Sequence, residues 1–329
     1  MKRSAGVTAA AVVALLGSVC AALFGVLWIF SMYLFPAGHS LGSASPNNIP
    51  SPLTLTELVV MSLLGFGFAG WGLATTIGLF KLKPWSRISI LIFSSVVAVL
   101  TTTFIPILQF LSLPKAPGTA ELSSFAFHLT LNIFLGVPLG IAIWWLVFFS
   151  RSSVGEQFRG TRLATDRPIG ITIIAWLSII FCLLNLLIIV ATNSAWTMPE
   201  PFFLTIFTGI AAKIFRRFSL PFSFLAGAGL LWNRVWGFWL AVGLDVYYLL
   251  NRGVFFAFPN KGERWERLLA LALASRPPER IPRSYRVFLI WLFALGFIEV
   301  ALFLAVLLAG KTRYFAVATR QQNRLSTTS

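Results

Sequence analysis

The chain has 329 residues, 57% of them hydrophobic and 11% charged, with a mean hydropathy of +0.84. A soluble globular protein carries about 25% charged residues, so this composition excludes a water-soluble domain and places the chain in a bilayer. The net charge of +16 reads as loop charge that sets membrane orientation. No basic RNA- or DNA-binding fold accompanies it, so nucleic acid is not an expected partner.

A spanning helix needs about 20 apolar residues. Five such stretches run over residues 5–35, 56–80, 88–112, 124–149 and 168–192. Lys2 and Arg3 precede the first, and the loop at 36–52 has no Lys or Arg. The next turn carries Lys81, Lys83 and Arg87, and the loop after it only Lys115. Arg151, Arg159, Arg162 and Arg167 mark the following link, and the loop at 192–201 is again without base. Basic and neutral loops alternate, which puts the N-terminus in the cytoplasm.

The second half is less regular. Residues 202–215 are apolar, end in Lys213, Arg216 and Arg217, and reach only about 21 Å of a roughly 30 Å core. They read as an interfacial amphipathic helix. Further spans are expected over 218–233, 235–250 and 287–310, followed by a polar, basic tail. The expected fold is an all-α polytopic bundle of about eight spans, with seven to nine as the range. Eight spans place the segment 252–286, with its eight basic residues, outside; a ninth would place it inside, as its charge prefers. Within that segment residues 262–274 read as a surface-lying helix, broken by Pro277, Pro278 and Pro282.

Cys20 and Cys182 both lie in apolar runs, where packing is their expected role. Clustered ligands for a disulfide framework or a metal are missing. The first run is longer than the roughly 7–15 apolar residues of a signal peptide and reads as a retained span.

Two short motifs occur twice. Arg3-x-x-Gly6-Val7-Thr8 opens the first long segment and Arg167-x-x-Gly170-Ile171-Thr172 another. Gly78-Leu79 leads to Trp85, and Gly229-Leu230 to Trp236, with the same seven-residue step. A third pair, Arg151–Val154–Phe158 and Arg252–Val254–Phe258, is weaker because the spacing to the tryptophan differs. An internal repeat is the expected architecture. It divides the chain into a first transmembrane repeat over 1–160 and a second, degenerate one over 161–258. A basic connecting segment at 259–286 and a last span with its tail at 287–329 complete it. Gly78 to Arg87 and Arg167 to Thr172 resemble a loose class of uncharacterised bacterial polytopic membrane proteins that read R-P-x-G-V-T and G-x-G-L-x-x-L-K-x-W-A-R. The resemblance implies a helical membrane module in a bacterial inner membrane and carries no activity.

The second motif has a physical reading. Glycine permits a turn or a close helix approach. Lys81, Lys83 and Arg87, and Arg234 in the second instance, are expected to meet anionic lipid headgroups. Trp85 and Trp236 are expected at the headgroup level. All six read as topology anchors.

Two acidic residues fall deep inside apolar spans, Asp245 and Glu299. A charged Asp at a helix centre costs about 2.5–3.5 kcal/mol on insertion scales, so both are candidates for a proton- or cation-handling site. The alternatives are a carboxyl that stays protonated, a bond to a neighbouring helix, or, for Asp245, a snorkelling partner in Arg252. Gly296, one turn before Glu299, leaves room for a neighbouring helix. His128 and Asn132 share a face of the fourth span, above Gly136, Pro138 and Gly140. Enzyme signatures are missing: no G-x-S-x-G elbow, no H-E-x-x-H and no Walker loop. No cofactor is implied. The expected role is a non-enzymatic structural or regulatory membrane protein. The alternative is a small proton- or ion-coupled transporter or channel using Glu299 and Asp245, with a membrane-embedded enzyme third. The lipid bilayer, a second copy of the chain or another membrane protein are the expected partners.

Overall fold

A computed structural model of the chain describes residues 4–34, 52–110, 121–158, 168–192, 200–257, 264, 267–268 and 283–326. Four long helices come first: α1 (Ala5–Leu34), α2 (Pro52–Phe80), α3 (Pro84–Phe110) and α4 (Glu121–Ser150), followed by the short α5 (Ser152–Gln157). Then come α6 (Ile169–Thr192), strands β1 (Glu200–Phe202) and β2 (Thr205–Phe207), α7 (Gly209–Leu231), α8 (Val235–Ala257) and α9 (Arg283–Ser326). Among the described residues α1, α2, α3, α4, α6, α8 and α9 are long and apolar enough to cross a membrane. The chain is an all-α polytopic membrane protein.

Three expectations are corrected. Residues 202–215 are not an interfacial helix. They begin with an antiparallel β1–β2 hairpin, in which Pro201 pairs with Ile206, and then enter α7. The expected span at 218–233 is the second part of α7, which starts at Gly209. Its 23 residues reach about 34 Å, but Lys213, Arg216 and Arg217 keep it out of the apolar set. The span at 235–250 continues to Ala257. The last span and the start of its tail form one helix, since α9 is 44 residues long and runs unbroken to Ser326. The segment at 259–286 and the loop at 36–51 lie largely outside the described residues, so the side of the basic segment stays an expectation.

The described chain forms two compact units, residues 1–91, 147–164 and 183–196 in one and 92–146, 165–182 and 197–329 in the other. In the first, α1 and α2 meet through small residues. A Cβ on Gly65 would stand 2.9 Å from the Gly25 backbone and 3.1 Å from the Ala21 carbonyl oxygen, and Ser18 Oγ fills the space over Gly72. Lipid is as apolar as leucine, so such van der Waals contact between backbones, not hydrophobic burial, holds the helices. Gly67, by contrast, faces open space. In the second unit a Cβ on Gly227 of α7 would stand 2.7 Å from the Ala175 carbonyl oxygen of α6. Cys182 donates to the Leu220 carbonyl at 3.3 Å, so this thiol sits in the α6–α7 seam.

The two short turns are closed in the same way. After α2, the Lys83 N–H donates to the Gly78 carbonyl at 2.9 Å and the Leu82 N–H to Leu79 at 3.1 Å. After α7, the Arg234 N–H donates to Gly229 at 2.9 Å and the Asn233 N–H to Leu230 at 3.2 Å. Leu82 and Asn233 take φ of 49° and 54°. This is the Schellman arrangement, which satisfies carbonyls that a helix end otherwise leaves open. The tryptophan of each motif lies over its glycine. A Cβ on Gly78 would stand 2.8 Å from the Trp85 ring, and one on Gly229 2.8 Å from the Trp236 ring. The seven-residue step is therefore the distance from a helix end, through one tight turn, to a ring folded back over it.

Gly229→Val is expected to destabilise the protein by about 1–3 kcal/mol, the usual cost of overpacking, because Trp236 and Gly237 occupy the space a side chain needs. Gly243→Val, where nothing lies within 4 Å, is the control. Thermal unfolding in detergent, with both variants equal to the parent, would show that the ring does not require the glycine.

Candidate functional site

Helices α8 and α9 run antiparallel. At one end Phe238 of α8 stacks on Tyr314 of α9 with centroids 5.5 Å apart, and Lys311 Nζ lies 5.0 Å over the Trp239 ring. At the other end the guanidinium of Arg252 on α8 rests against Gly296 of α9. The room that Gly296 leaves is filled by a cation, not by a helix backbone. Glu299 stands one turn along α9 from Gly296, and Asp245 two turns along α8 from Arg252.

Asp245, Arg252 and Glu299 thus lie along one stretch of the α8–α9 pair, on which Arg252 is in contact with the facing helix at Gly296. All three are half-buried. Glu299 lies twelve residues from Lys311, about 18 Å along the helix. The contact of Arg252 with Gly296 places its guanidinium about one turn from Glu299 on the facing helix, with Asp245 two turns from Arg252 on its own helix.

The far end of α8 is tied to the hairpin. Asn251 is buried, donates through Nδ2 to the Pro201 carbonyl at 3.0 Å, and accepts from the Phe203 N–H. Phe203 itself has φ of 48°, a conformation that costs an L residue about 1–2 kcal/mol. Around this clamp Phe203 and Phe215 lie 5.9 Å and 6.4 Å from the Tyr247 ring. Sequence reasoning did not assign Asn251 this role. Its signal was faint: an Asn beside an Arg inside an apolar run.

The other candidates stand apart from this layer. Asn132 is exposed on α4, in which Pro138 is an internal residue, and the His128 side chain lies outside the described residues. Lys81, Lys83 and Trp85 are exposed at the first turn, and Arg234 and Trp236 at the second. Arg87 is placed differently from the expectation. Its Nε donates to the Phe149 carbonyl at 2.9 Å, and its guanidinium packs against Gly155, so it closes the end of α4 instead of facing lipid. The third motif pair falls on unlike places: Arg151 precedes α5, whereas Arg252 lies inside α8. Among the described residues no three His, Cys, Asp or Glu side chains converge as a metal site requires.

No protein-family model matches the chain, and neither a curated protein nor a solved structure shows detectable similarity to it. The functional reading therefore rests on the residues themselves.

Arg252→Gln and Glu299→Gln are each expected to lower stability by about 1–3 kcal/mol, below the range for a fully buried pair because both groups are half-buried. The double variant should lose less than the sum. Chemical or thermal unfolding of all four proteins gives the cycle, and additivity within about 0.5 kcal/mol would show that the two do not interact.

Proposed function

We propose that the chain is a non-enzymatic, multi-pass protein of a bacterial inner membrane with a structural or regulatory role, built from two copies of one helical module. The observation that carries this reading is the shared turn: the same two backbone hydrogen bonds, a positive-φ residue at the same place and a tryptophan over the same glycine. The opening motifs agree with it. Val7 and Ile171 are both fully buried, and Thr8 and Thr172 both bond back to the carbonyl four residues earlier, on Ser4 and Pro168. Gly6 packs against Phe148 of α4 and Gly170 against Val306 of α9. On this reading α6, α7, α8 and α9 repeat α1, α2, α3 and α4, and the last helix belongs to the second copy. The module then has four helices in each case, α7 is a span, and both N-termini lie in the cytoplasm.

Two copies in the same orientation put Lys83 and Arg234 on one side of the membrane. Single cysteines at these exposed positions are expected to resist a membrane-impermeant maleimide in intact cells and to react after permeabilisation. Reaction of one but not the other would break the parallel arrangement.

A second reading is favoured by the Asp245–Glu299–Arg252 layer, which is the composition of a proton- or cation-handling site. In liposomes the scaffold reading expects proton and monovalent-cation flux no greater than in empty vesicles. A protein-dependent flux that Glu299→Gln abolishes, with the variant's thermal stability retained, would replace it with transport, because an amide cannot exchange a proton.

A further inference from the structure

Helix α8 serves as a ruler for the chain beside it. Its apolar stretch Val235–Ala257 has 23 residues, about 34 Å, little more than a bilayer core of about 30 Å. Asn251 lies six residues from its end and Tyr247 ten, about 9 Å and 15 Å inside it. The β1–β2 hairpin is fastened at both points. Asn251 bonds the Pro201 carbonyl and the Phe203 N–H, and the Phe203 ring lies 5.9 Å from that of Tyr247. Helix α7 gives the same level independently. Its Phe215 packs edge-on to Phe202 at 5.3 Å and lies fourteen residues before Gly229. That is about 21 Å from the α7–α8 turn, against about 18 Å for Tyr247 counted from Val235. With α8 as a span, the hairpin reaches into the layer that α8 crosses.

A hairpin at that level has backbone groups to satisfy. Its ladder pairs Phe202 with Thr205 and Glu200 with Phe207 around the two-residue loop Phe203–Leu204. Bonded pairs alternate with pairs whose groups point outwards, so Pro201 and Ile206 point to opposite edges, the Pro201 carbonyl towards Asn251. The N–H and carbonyl of Ile206 therefore point away from β1. The Phe203 carbonyl and the Leu204 N–H, in the loop, also stand outside the ladder. Leu204 and Thr205 are exposed. Lipid offers no hydrogen bond, and non-helical backbone at membrane depth is tolerated only where protein or water meets it. With three residues, β2 is too short an edge to template a partner strand, which leaves water. Asp245, Arg252 and Glu299 occupy the same stretch of α8 and α9, and ionisable groups within spans likewise face protein or a water-filled cavity.

We infer that the hairpin lines a water-filled vestibule, open on the side opposite the α7–α8 turn and reaching the level of Tyr247, about 15 Å below the end of α8. Water in it meets the backbone of Leu204 and Ile206. A vestibule of this kind suits a scaffold as well as a transporter and keeps its place whichever face is cytoplasmic. It therefore stands or falls apart from both readings above.

The test uses the full-length chain with Cys20→Ala and Cys182→Ser, whose hydroxyl keeps the bond to the Leu220 carbonyl, and adds single cysteines. Leu204→Cys puts a thiol on the hairpin tip. Ile298→Cys is the control. It is exposed, stands two residues from Gly296 and so near the level of the Arg252 contact, and lies about 200° around α9 from the face that meets Arg252. In membrane fragments open on both faces, a charged, impermeant methanethiosulfonate should modify Leu204→Cys at least about tenfold faster than Ile298→Cys, since attack requires a thiolate, which forms in water and not against lipid. Thr205→Cys, also at an exposed position, should follow Leu204→Cys, so the result does not rest on one substitution. Thermal unfolding in detergent checks that each variant is folded. Equal rates at the hairpin and at Ile298→Cys, both fast or both slow, would overturn the vestibule. So would labelling of Leu204→Cys and Arg234→Cys from the same face of sealed vesicles.

Discussion

Inside a bilayer a helix gains nothing by burying leucine against leucine, so helices associate where their backbones can touch. This constraint explains which residues of the chain are small. Along α1 the residues turned towards α2 include Ser18, Ala21 and Gly25, and α2 answers with Gly65 and Gly72. In α7 Gly227 reaches the Ala175 carbonyl of α6, and Ser178 and Ile179 lie around the same point. The side chains that face away from these seams are large and exposed, Leu16, Leu23 and Leu63 among them. They would be errors in a soluble protein and are ordinary lipid-facing surface here.

The third helix of each half shows what polarity a seam can hold. Counting sixteen residues from the turn glycine gives Ser94 in α3 and Asp245 in α8; counting twenty-three gives Thr101 and Arg252. Ser94 and Thr101 are buried, and Thr101 Oγ1 bonds to the Val97 carbonyl of its own helix at 2.6 Å. Elsewhere on α3, Ser89 is bonded to Thr75 at 2.6 Å and by the Trp71 indole at 2.7 Å. A hydroxyl can satisfy itself on the carbonyl one turn back. A carboxylate or guanidinium in the same place needs a partner from another helix. In the second half that helix is α9, which supplies Glu299 and, at Gly296, the absence of a side chain that lets Arg252 lie down.

The spans were legible in the sequence because lipid demands an apolar run of fixed length, and 5–35, 56–80 and 168–192 agree with α1, α2 and α6 to within a few residues. The glycine–tryptophan step was legible as a recurrence but not as a contact, since nothing in a string of letters says that a ring folds back over a helix end. The hairpin was missed for a physical reason. Pro201 and a run of phenylalanines satisfy the hydrophobicity of an interfacial helix, and the residue that decides otherwise, Asn251, is some fifty positions away and bonds the hairpin backbone. At the site, Asp245 and Glu299 stood out by cost alone. The contact of Arg252 with Gly296, one turn from Glu299, depends on the antiparallel register of α8 and α9, along which Phe238, Trp239, Tyr314 and Lys311 also meet.

The contrast between the ends of α4 and α9 follows from where open carbonyls can go. A helix that stops near the membrane surface leaves its last carbonyls without donors. In the first half Arg87, nine residues past Gly78, supplies one: its Nε bonds Phe149, and the chain turns at Arg151 into α5. Nine residues past Gly229 stands Phe238, which has no donor to give. There the chain meets the same demand by not stopping. Helix α9 passes the level of the turn with its own hydrogen bonds intact, stacks Tyr314 on Phe238, and uses the Tyr314 hydroxyl to bond Arg234. An arginine that ends a helix and a phenylalanine that lets it continue are alternative answers to one electrostatic requirement, and the second carries α9 on past the turn to Ser326.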